Sequence, residues 1–308
     1  MGQGRVAVVC GGGSAEREVS LRSGSAVCEA LRGRGPDVEL WDWHPGRAGA
    51  LLAWAPDVAV LALHGGVGEN GSVQGFFESV EIPYTGSGVL ASAIAMDKLR
   101  SKEVFAWSGV PSPAWVALEG EAASEVPPLS PPFALKPASE GSSVGVQHVE
   151  SAAGWSACRT DLRGRWLAEA WIEGRELTVG FLGEQVLGVC EIRVASGFYD
   201  YAAKYERADT AYLVPAPLAD AEALAVRDAA AAAWRALGCR GVGRVDVLLD
   251  GAGAWVLEAN TLPGMTSTSL VPKLAAAQGI DFAALAWWMV SNACTDAGKR
   301  SRWWGGTT

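Results

Sequence analysis

The chain has 308 residues, 49% hydrophobic and 19% charged, which places it among globular proteins of two or three domains with a substantial core. A formal net charge of −9, with no run of Lys or Arg, argues against a nucleic-acid-binding surface. No apolar stretch is long enough for membrane insertion, no basic segment followed by a long apolar run opens the chain, and the six cysteines form no C-x-x-C pair. A cytoplasmic protein with reduced, buried thiols is expected.

Arg5 to Cys10 is a continuous apolar run suited to a buried parallel strand, followed by Gly11-Gly-Gly-Ser14-Ala-Glu16-Arg-Glu18. A helix should start there, with Ser14 as N-cap and Val19, Val27 and Leu31 as its apolar stripe, and stop at Gly33 and Gly35. The glycines lack the G-x-G-x-x-G spacing, so no dinucleotide fingerprint is met. Glu16 and Glu18 fall where a carboxylate suits the helix dipole and would repel a phosphate. Glu16 is therefore either placed for a cation such as a substrate ammonium or is an ordinary first-turn Glu.

Further strands are expected at Val38–Trp43 and at Asp57–His64, the latter leading through a second glycine loop to a helix over Ser72–Val80. Strand and helix alternate, implying right-handed parallel crossovers with both glycine loops opening onto one crevice. His64 either contacts a ligand there or is a structural hydrogen-bonder. A helix should then contain Met96 to Lys102, on which Lys98 is either a phosphate contact or a solvated charge.

After a Pro-rich link from Pro111 to Pro132, Phe133 to Pro137 forms a strand carrying Lys136, and Ala138 to Val146 forms a Gly/Ser loop able to fold over phosphates, although it is no Walker loop. The runs Arg165–Ile172 and Glu173–Gly180 set an apolar strip beside Glu169 and Glu176, which is either a seat for adenine and ribose or a surface hairpin. Residues Arg193 to Thr210, with three Tyr and a Lys, break both periodicities and read as a candidate lid. An Ala-rich helix over Leu218–Leu237 ends at Gly238.

The last motif is the richest. Gly241 to Asp250 and Trp255 to Asn260 read as an antiparallel hairpin around Asp250-Gly-Ala-Gly253. Since side chains two apart share a face, Arg244 pairs with Asp246 and Glu258 with Asn260 on strand faces. Three hard oxygen donors and a guanidinium on one surface suit Mg²⁺ and a transferring phosphoryl group; the alternative is a polar sheet face with a salt bridge. The fourteen tryptophans are scattered and suggest no function.

Taken in order, Gly11–Ser20, His64-Gly, Tyr84–Gly88, Met96–Lys98, Lys136-Pro, Glu140–Gly145, Tyr199–Tyr205, Gly243–Asp246 and Glu258–Thr266 closely resemble the D-alanine:D-alanine ligases over essentially the whole chain. The resemblance implies an α/β, three-domain ATP-grasp architecture: a Rossmann-like parallel-sheet domain at 1–95, then α+β domains at 96–174 and 175–308 clasping ATP. By matching motif, Lys98, Lys136 and Lys204 would bind phosphates, Glu169 and Glu176 adenosine, and Asp246, Glu258 and Asn260 two Mg²⁺ ions, for which Mn²⁺ can substitute. Glu16 would hold the first substrate's ammonium, with Ser142 and Tyr205 completing its network and His64 contributing to the substrate site. Arg244, Gly264, Ser269 and Leu270 would bind the second D-alanine and the tetrahedral intermediate. The departures are Gly13, where Thr is common, and Ala170 after Glu169. The implied activity is ATP-dependent ligation of two D-alanines through an acyl phosphate for peptidoglycan precursor synthesis, by a homodimer. Its rivals are ligases using D-serine or D-lactate, against the last of which Tyr205 speaks, a specialised dipeptide ligase, and a nucleotide-binding protein that does not turn over, against which the intact set of metal ligands weighs.

Overall fold

The computed structural model describes residues 4–119, 124–141, 144–194 and 210–305. In the N-terminal sheet β1 (Arg5–Gly11) lies between parallel neighbours β2 (Asp37–Trp43) and β3 (Val58–Leu61), connected through helices α1 (Arg17–Leu31) and α2 (Ala48–Trp54). The unbroken apolar run of β1 has a simple cause: both of its faces are covered. Val6 and Val8 pack in one cluster with Val27 and Leu31 of α1, whereas Ala7 and Val9 pack in another with Phe77 and Tyr84.

Helix α1 starts at Arg17, not beside Ser14. The Ser14 hydroxyl is engaged elsewhere, donating to the His64 carbonyl at 2.5 Å and accepting the Glu16 N–H at 3.2 Å, so Glu16 itself becomes the N-cap residue, without a side-chain cap bond. Val19 leaves the expected core stripe and lines a pocket, while Ser20, Ser23 and Gly24 face inward with Val27 and Leu31. Strand β3 ends at Leu61, short of His64.

Helix α3 (Ser72–Ser79) precedes a second departure from expectation. The segment around Met96 to Lys102 is two helices, α4 (Val89–Met96) and α5 (Lys98–Trp107), broken at Asp97. Asp97 is extended (φ −95°, ψ 102°) and its carboxylate accepts the N–H groups of Leu99 and Arg100. That cap makes Lys98 the first residue of a helix rather than a mid-helix surface charge.

The central sheet has the order β4-β7-β5-β6, all antiparallel pairs, from β4 (Trp115–Glu119), β5 (Phe133–Pro137), β6 (Gln147–Val149) and β7 (Arg165–Ala170), with α6 (Ala152–Cys158) packed through Trp155 against Phe133. The Pro-rich stretch is thus more than a link: it contributes the edge strand β4, a place in a sheet that tolerates nearby prolines.

The third sheet runs β10-β9-β8-β11-β12, from β8 (Arg175–Leu182), β9 (Gln185–Arg193), β10 (Ala211–Leu213), β11 (Val242–Leu249) and β12 (Ala254–Asn260). Helix α7 (Asp220–Ala236) covers one face through Leu177, Val179, Val245 and Val247, and its Trp234 stacks on Phe181 at 4.8 Å. Truncating that tryptophan to Ala would cost about 3–5 kcal/mol. The intervening residues Glu176, Thr178, Arg244, Asp246 and Leu248 take the other face by alternation. Helices α8 (Leu270–Ala277) and α9 (Phe282–Ser291) close the chain, and α9 returns to pack on α1 and β3. Among the described residues no single helix is long and apolar enough to cross a membrane.

Candidate active site

The hairpin β11–β12 turns where expected. Asp250 Oδ1 accepts the N–H groups of Ala252 and Gly253 and the indole N–H of Trp255, each within 2.9–3.0 Å, which ties the turn to the strand after it. Register then sets Arg244 opposite Asn260 and Asp246 opposite Glu258, with a bulge just after Asp246. Four polar side chains are therefore gathered by two strands at the rungs either side of the Val245–Ala259 pair. Arg244 forms an ion pair with Asp246, whose Oδ1 also accepts the Thr178 hydroxyl at 2.6 Å.

Two depressions share this hairpin. The larger, about 610 Å³, lies between the central and third sheets and is lined by Lys136, Glu169, Trp171, Ile172, Glu176, Asp246, Leu248 and Leu257 among others. The smaller, about 150 Å³, is lined by Glu16, His64, Glu69, Arg244, Asn260, Gly264, Ser269 and Leu270. Lys98, Glu140 and Glu258 line both, so the depressions meet there. The Lys98 ammonium donates to the Glu140 carbonyl at 2.6 Å and lies 3.5 Å from Glu258. The helix break at Asp97 positions it there.

In the smaller depression, the loops are tied by buried hydrogen bonds between distant segments. His64 Nδ1 lies 2.9 Å from the Leu262 carbonyl and its Nε2 lies 3.2 Å from Ser23 Oγ. Ser23 Oγ accepts the Met265 N–H at 3.1 Å, so its own proton is free to go to Nε2. The ring is thus the neutral tautomer protonated on Nδ1, and burial, which lowers its pKa, favours the same form. His64 acts here as a structural tie between the β3 end and the 262–265 loop, one of the two roles open to it from sequence. Asn260 Oδ1 accepts the Leu262 N–H at 3.1 Å and Ser269 Oγ accepts the Thr266 N–H at 3.1 Å, which shapes the same loop.

Glycines make room for Glu16. A Cβ on Gly65, whose φ is +67°, would come within 2.9 Å of Glu16 Oε2, and one on Gly141 within 3.0 Å. Both glycine loops therefore approach this carboxylate as closely as backbone permits. Glu69, which had no place in the sequence reading, sits beside them: its Oε2 accepts the Gly65 N–H at 2.7 Å. Burial, with the Glu16 charge next, pushes its pKa up to about 8. Its sequence context, Gly68-Glu69-Asn70, reads as a solvated turn, and nothing local separates it from one.

In the larger cavity, Glu169 is 2% exposed and bridges two ammoniums, Lys136 at 2.5 Å and Lys102. Burial alone would raise the Glu169 pKa, but the two lysines outweigh it and hold the carboxyl below its usual range. Trp171 forms part of the wall and is stacked from behind by His148 at 3.8 Å. Glu176 lines the cavity from β8. Lys102 was invisible in the sequence, where it sits among helix charges. Ser142, Lys204 and Tyr205, and the candidate lid apart from its two ends, lie outside the described residues.

Among the described residues no group of three or more His, Cys, Asp or Glu converges as a metal cage. Asp246, Glu258 and the Asn260 amide at one junction are instead a partial set of hard oxygen donors, which is what Mg²⁺ takes when phosphate oxygens and water complete its sphere. The donor chemistry fits such an ion.

Two antiparallel sheets facing each other across a cavity, behind a small parallel-sheet unit, define the ATP-grasp class of α/β protein. Comparison with known proteins gives the particular family. Family models described as D-ala D-ala ligase N-terminus and C-terminus match residues 46–87 and 103–291. A D-alanine–D-alanine ligase of Chromohalobacter salexigens is 48% identical over 290 residues, covering 92% of each chain, and one of an Anaeromyxobacter species (strain K) is 49% identical over 286 residues, covering 90% of this chain and 93% of that one. The crystal structure of D-alanine–D-alanine ligase from Bacillus anthracis superposes with a TM-score of 0.83 at 34% identity, over 93% of this chain and 96% of that one. The same enzyme complexed with ATP gives 0.81 at 31%, with the same coverage. The chain belongs to the D-alanine–D-alanine ligase family.

Proposed function

We propose that the protein joins two molecules of D-alanine into D-alanyl-D-alanine, with ATP consumed to ADP and phosphate, as a step in making peptidoglycan precursors. The observation that carries this reading is the junction of the two depressions at Lys98, Glu140 and Glu258. A cavity of about 610 Å³ with an apolar wall and flanking charges suits a nucleotide, and a polar one of about 150 Å³ suits small amino acids. Reaction between them needs a shared wall lined by charge.

The chemistry follows from that adjacency. A carboxylate oxygen of the first D-alanine attacks the γ-phosphorus and ADP departs; the amine of the second attacks the acyl carbon and phosphate departs. Lys98 and Lys136 offer ammoniums to phosphate oxygens, Glu176 and Glu169 flank the adenosine, and Glu16 takes the first ammonium. Arg244 and the Gly264 backbone, both lining the smaller depression, would meet the second carboxylate and the tetrahedral oxyanion, charge stabilisation of the kind that dominates acyl transfer. Asp246, Glu258 and Asn260 would hold Mg²⁺, which when bound neutralises phosphate charge. Ser142, Lys204 and Tyr205 keep the roles their motifs imply. Each proposed domain, 1–95, 96–174 and 175–308, carries one sheet. Family membership supports a cytoplasmic homodimer.

The test is phosphate release from ATP, with a panel of D- and L-amino acids and D-hydroxy acids. Release that appears on adding D-alanine, with the dipeptide as product, is expected. Release without any amino acid, or only with a different second substrate, would overturn the reading.

A further inference from the structure

Lys102 is 1% exposed and lines neither of the two depressions. Its ammonium is fully committed: it touches Glu169, donates to Ser112 Oγ at 2.5 Å and donates to the Val256 carbonyl at 3.2 Å. Ser112 Oγ in turn donates to the same carbonyl at 2.8 Å. Three elements meet on this one nitrogen: α5, the end of β7 and strand β12 of the hairpin. A buried ammonium carries a desolvation cost, and well-packed apolar residues often replace a buried ion pair without loss, so stability alone does not account for it.

Charge arithmetic does. Glu169 has one negative charge and two ammonium neighbours, Lys102 behind it and Lys136 in front, and only Lys136 lines the large cavity. The trio carries a net charge of one positive. Remove the inner lysine and Lys136 is cancelled by its own partner, leaving the cavity a neutral pair where it had a cation. We propose that Lys102 is a positioning residue that occupies Glu169 from the closed side, so that Lys136 keeps its charge for the phosphates of the nucleotide. Through Val256 it also ties Glu169 to the strand that bears Glu258. This rests on reading the cavity as a nucleotide site.

Calorimetric titration of the full chain with ADP, and competition with adenosine, which has the base and ribose but no phosphate, separates the possibilities. Unmodified protein is expected to bind ADP; failure to do so would overturn the nucleotide reading, and this assignment with it. Lys102→Met should weaken ADP about tenfold or more, while adenosine and the KM for D-alanine stay within about twofold, because a lost charge is felt only by a charged ligand. Lys102→Met/Glu169→Gln should recover much of the ADP affinity lost in Lys102→Met, since no carboxylate then cancels Lys136. Equal weakening of ADP and adenosine, or a double variant weaker than either single one, would show Lys102 to be a packing residue only. Should Lys102→Met fail to fold, the double variant, which buries no charge behind Lys136, is compared with Glu169→Gln. ADP affinities of those two within about twofold support the assignment, and a drop of about fivefold or more in the double variant overturns it.

Discussion

The two depressions are built in different ways. The nucleotide-sized cavity is walled by strands: Lys136, Glu169, Glu176, Asp246 and Leu248 stand on sheet faces, and their directions follow from alternation. The smaller pocket is walled by loop ends and helix starts, Glu16, His64, Glu69, Gly264 and Ser269, whose directions are set by hydrogen bonds between residues as far apart as Ser23 and Met265. A flat base and a chain of phosphates need surface and charge, which paired strands supply cheaply. A small zwitterion needs each charge met in a fixed direction, which takes several segments converging on one point.

The largest effect should come from the junction. Glu258→Gln keeps the shape of the side chain and removes its charge, and should lower kcat roughly a hundredfold or more while the thermal midpoint barely moves. Steady-state assays at saturating Mg²⁺ check this, and near-normal turnover would remove Glu258 from the machinery common to both pockets.

Next is the loop-built pocket. Ser23→Ala leaves the Met265 N–H and His64 Nε2 without their partner, and should cost about 1–3 kcal/mol in urea unfolding. It should also raise the KM for D-alanine about tenfold with the KM for ATP unchanged. Equal rises in both constants would break the distinction between the pockets.

Glu69 gives the loop pocket a pH signature. A carboxyl whose folded-state pKa is raised to about 8, from an ordinary 4.5, keeps its proton in the folded state over that window while the unfolded chain has lost it. Stability therefore falls as pH rises between those values, by at most about 1.4 kcal/mol per pH unit, and levels off above the folded pKa. Thermal midpoints of Glu69→Gln should lack this component, so the variant gains on the parent as pH rises through the window. Parallel curves would show that Glu69 is ionised in the folded protein.

The smallest effect belongs to the strand-built cavity. Trp171→Ala removes one aromatic wall and its stack on His148, and should raise the KM for ATP only about two- to tenfold, with D-alanine unaffected, since such contacts are worth about 0.5–1.5 kcal/mol beyond area. ATP titrations at saturating D-alanine measure it.

How much could be read from the chain follows the same division. The hairpin at 242–260, with Arg244 on one face with Asp246 and Glu258 on one face with Asn260, was legible because a period of two and an Asp-Gly turn are local facts, whereas the register that sets Asp246 opposite Glu258, with its bulge, was not. The apolar run of β1 announced a strand covered on both faces for the same reason. The start of α1 and the break at Asp97 were not legible, because Ser14 spends its hydroxyl on the His64 carbonyl and Asp97 caps a helix that its neighbours could have continued. Ser14 and Asp97 are good caps in either place; only the distant partner chooses, the His64 carbonyl for Ser14 and, for Asp97, the guanidinium of Arg165 at 2.6 Å. The first-turn position of Glu16 offered a cation as one of two readings, whereas the roles of Gly264 and Ser269 were suggested by family resemblance alone.

By itself, then, the sequence determined the parallel opening strand, the metal-suited hairpin and, through its ordered motifs, the family. Only the tertiary structure decided that Lys102 and Glu69, written as ordinary surface charges, are buried beside Glu169 and Glu16. The reason is physical: periodicity records which way a side chain points from its own backbone, whereas burial and charge pairing depend on which other segments arrive opposite it.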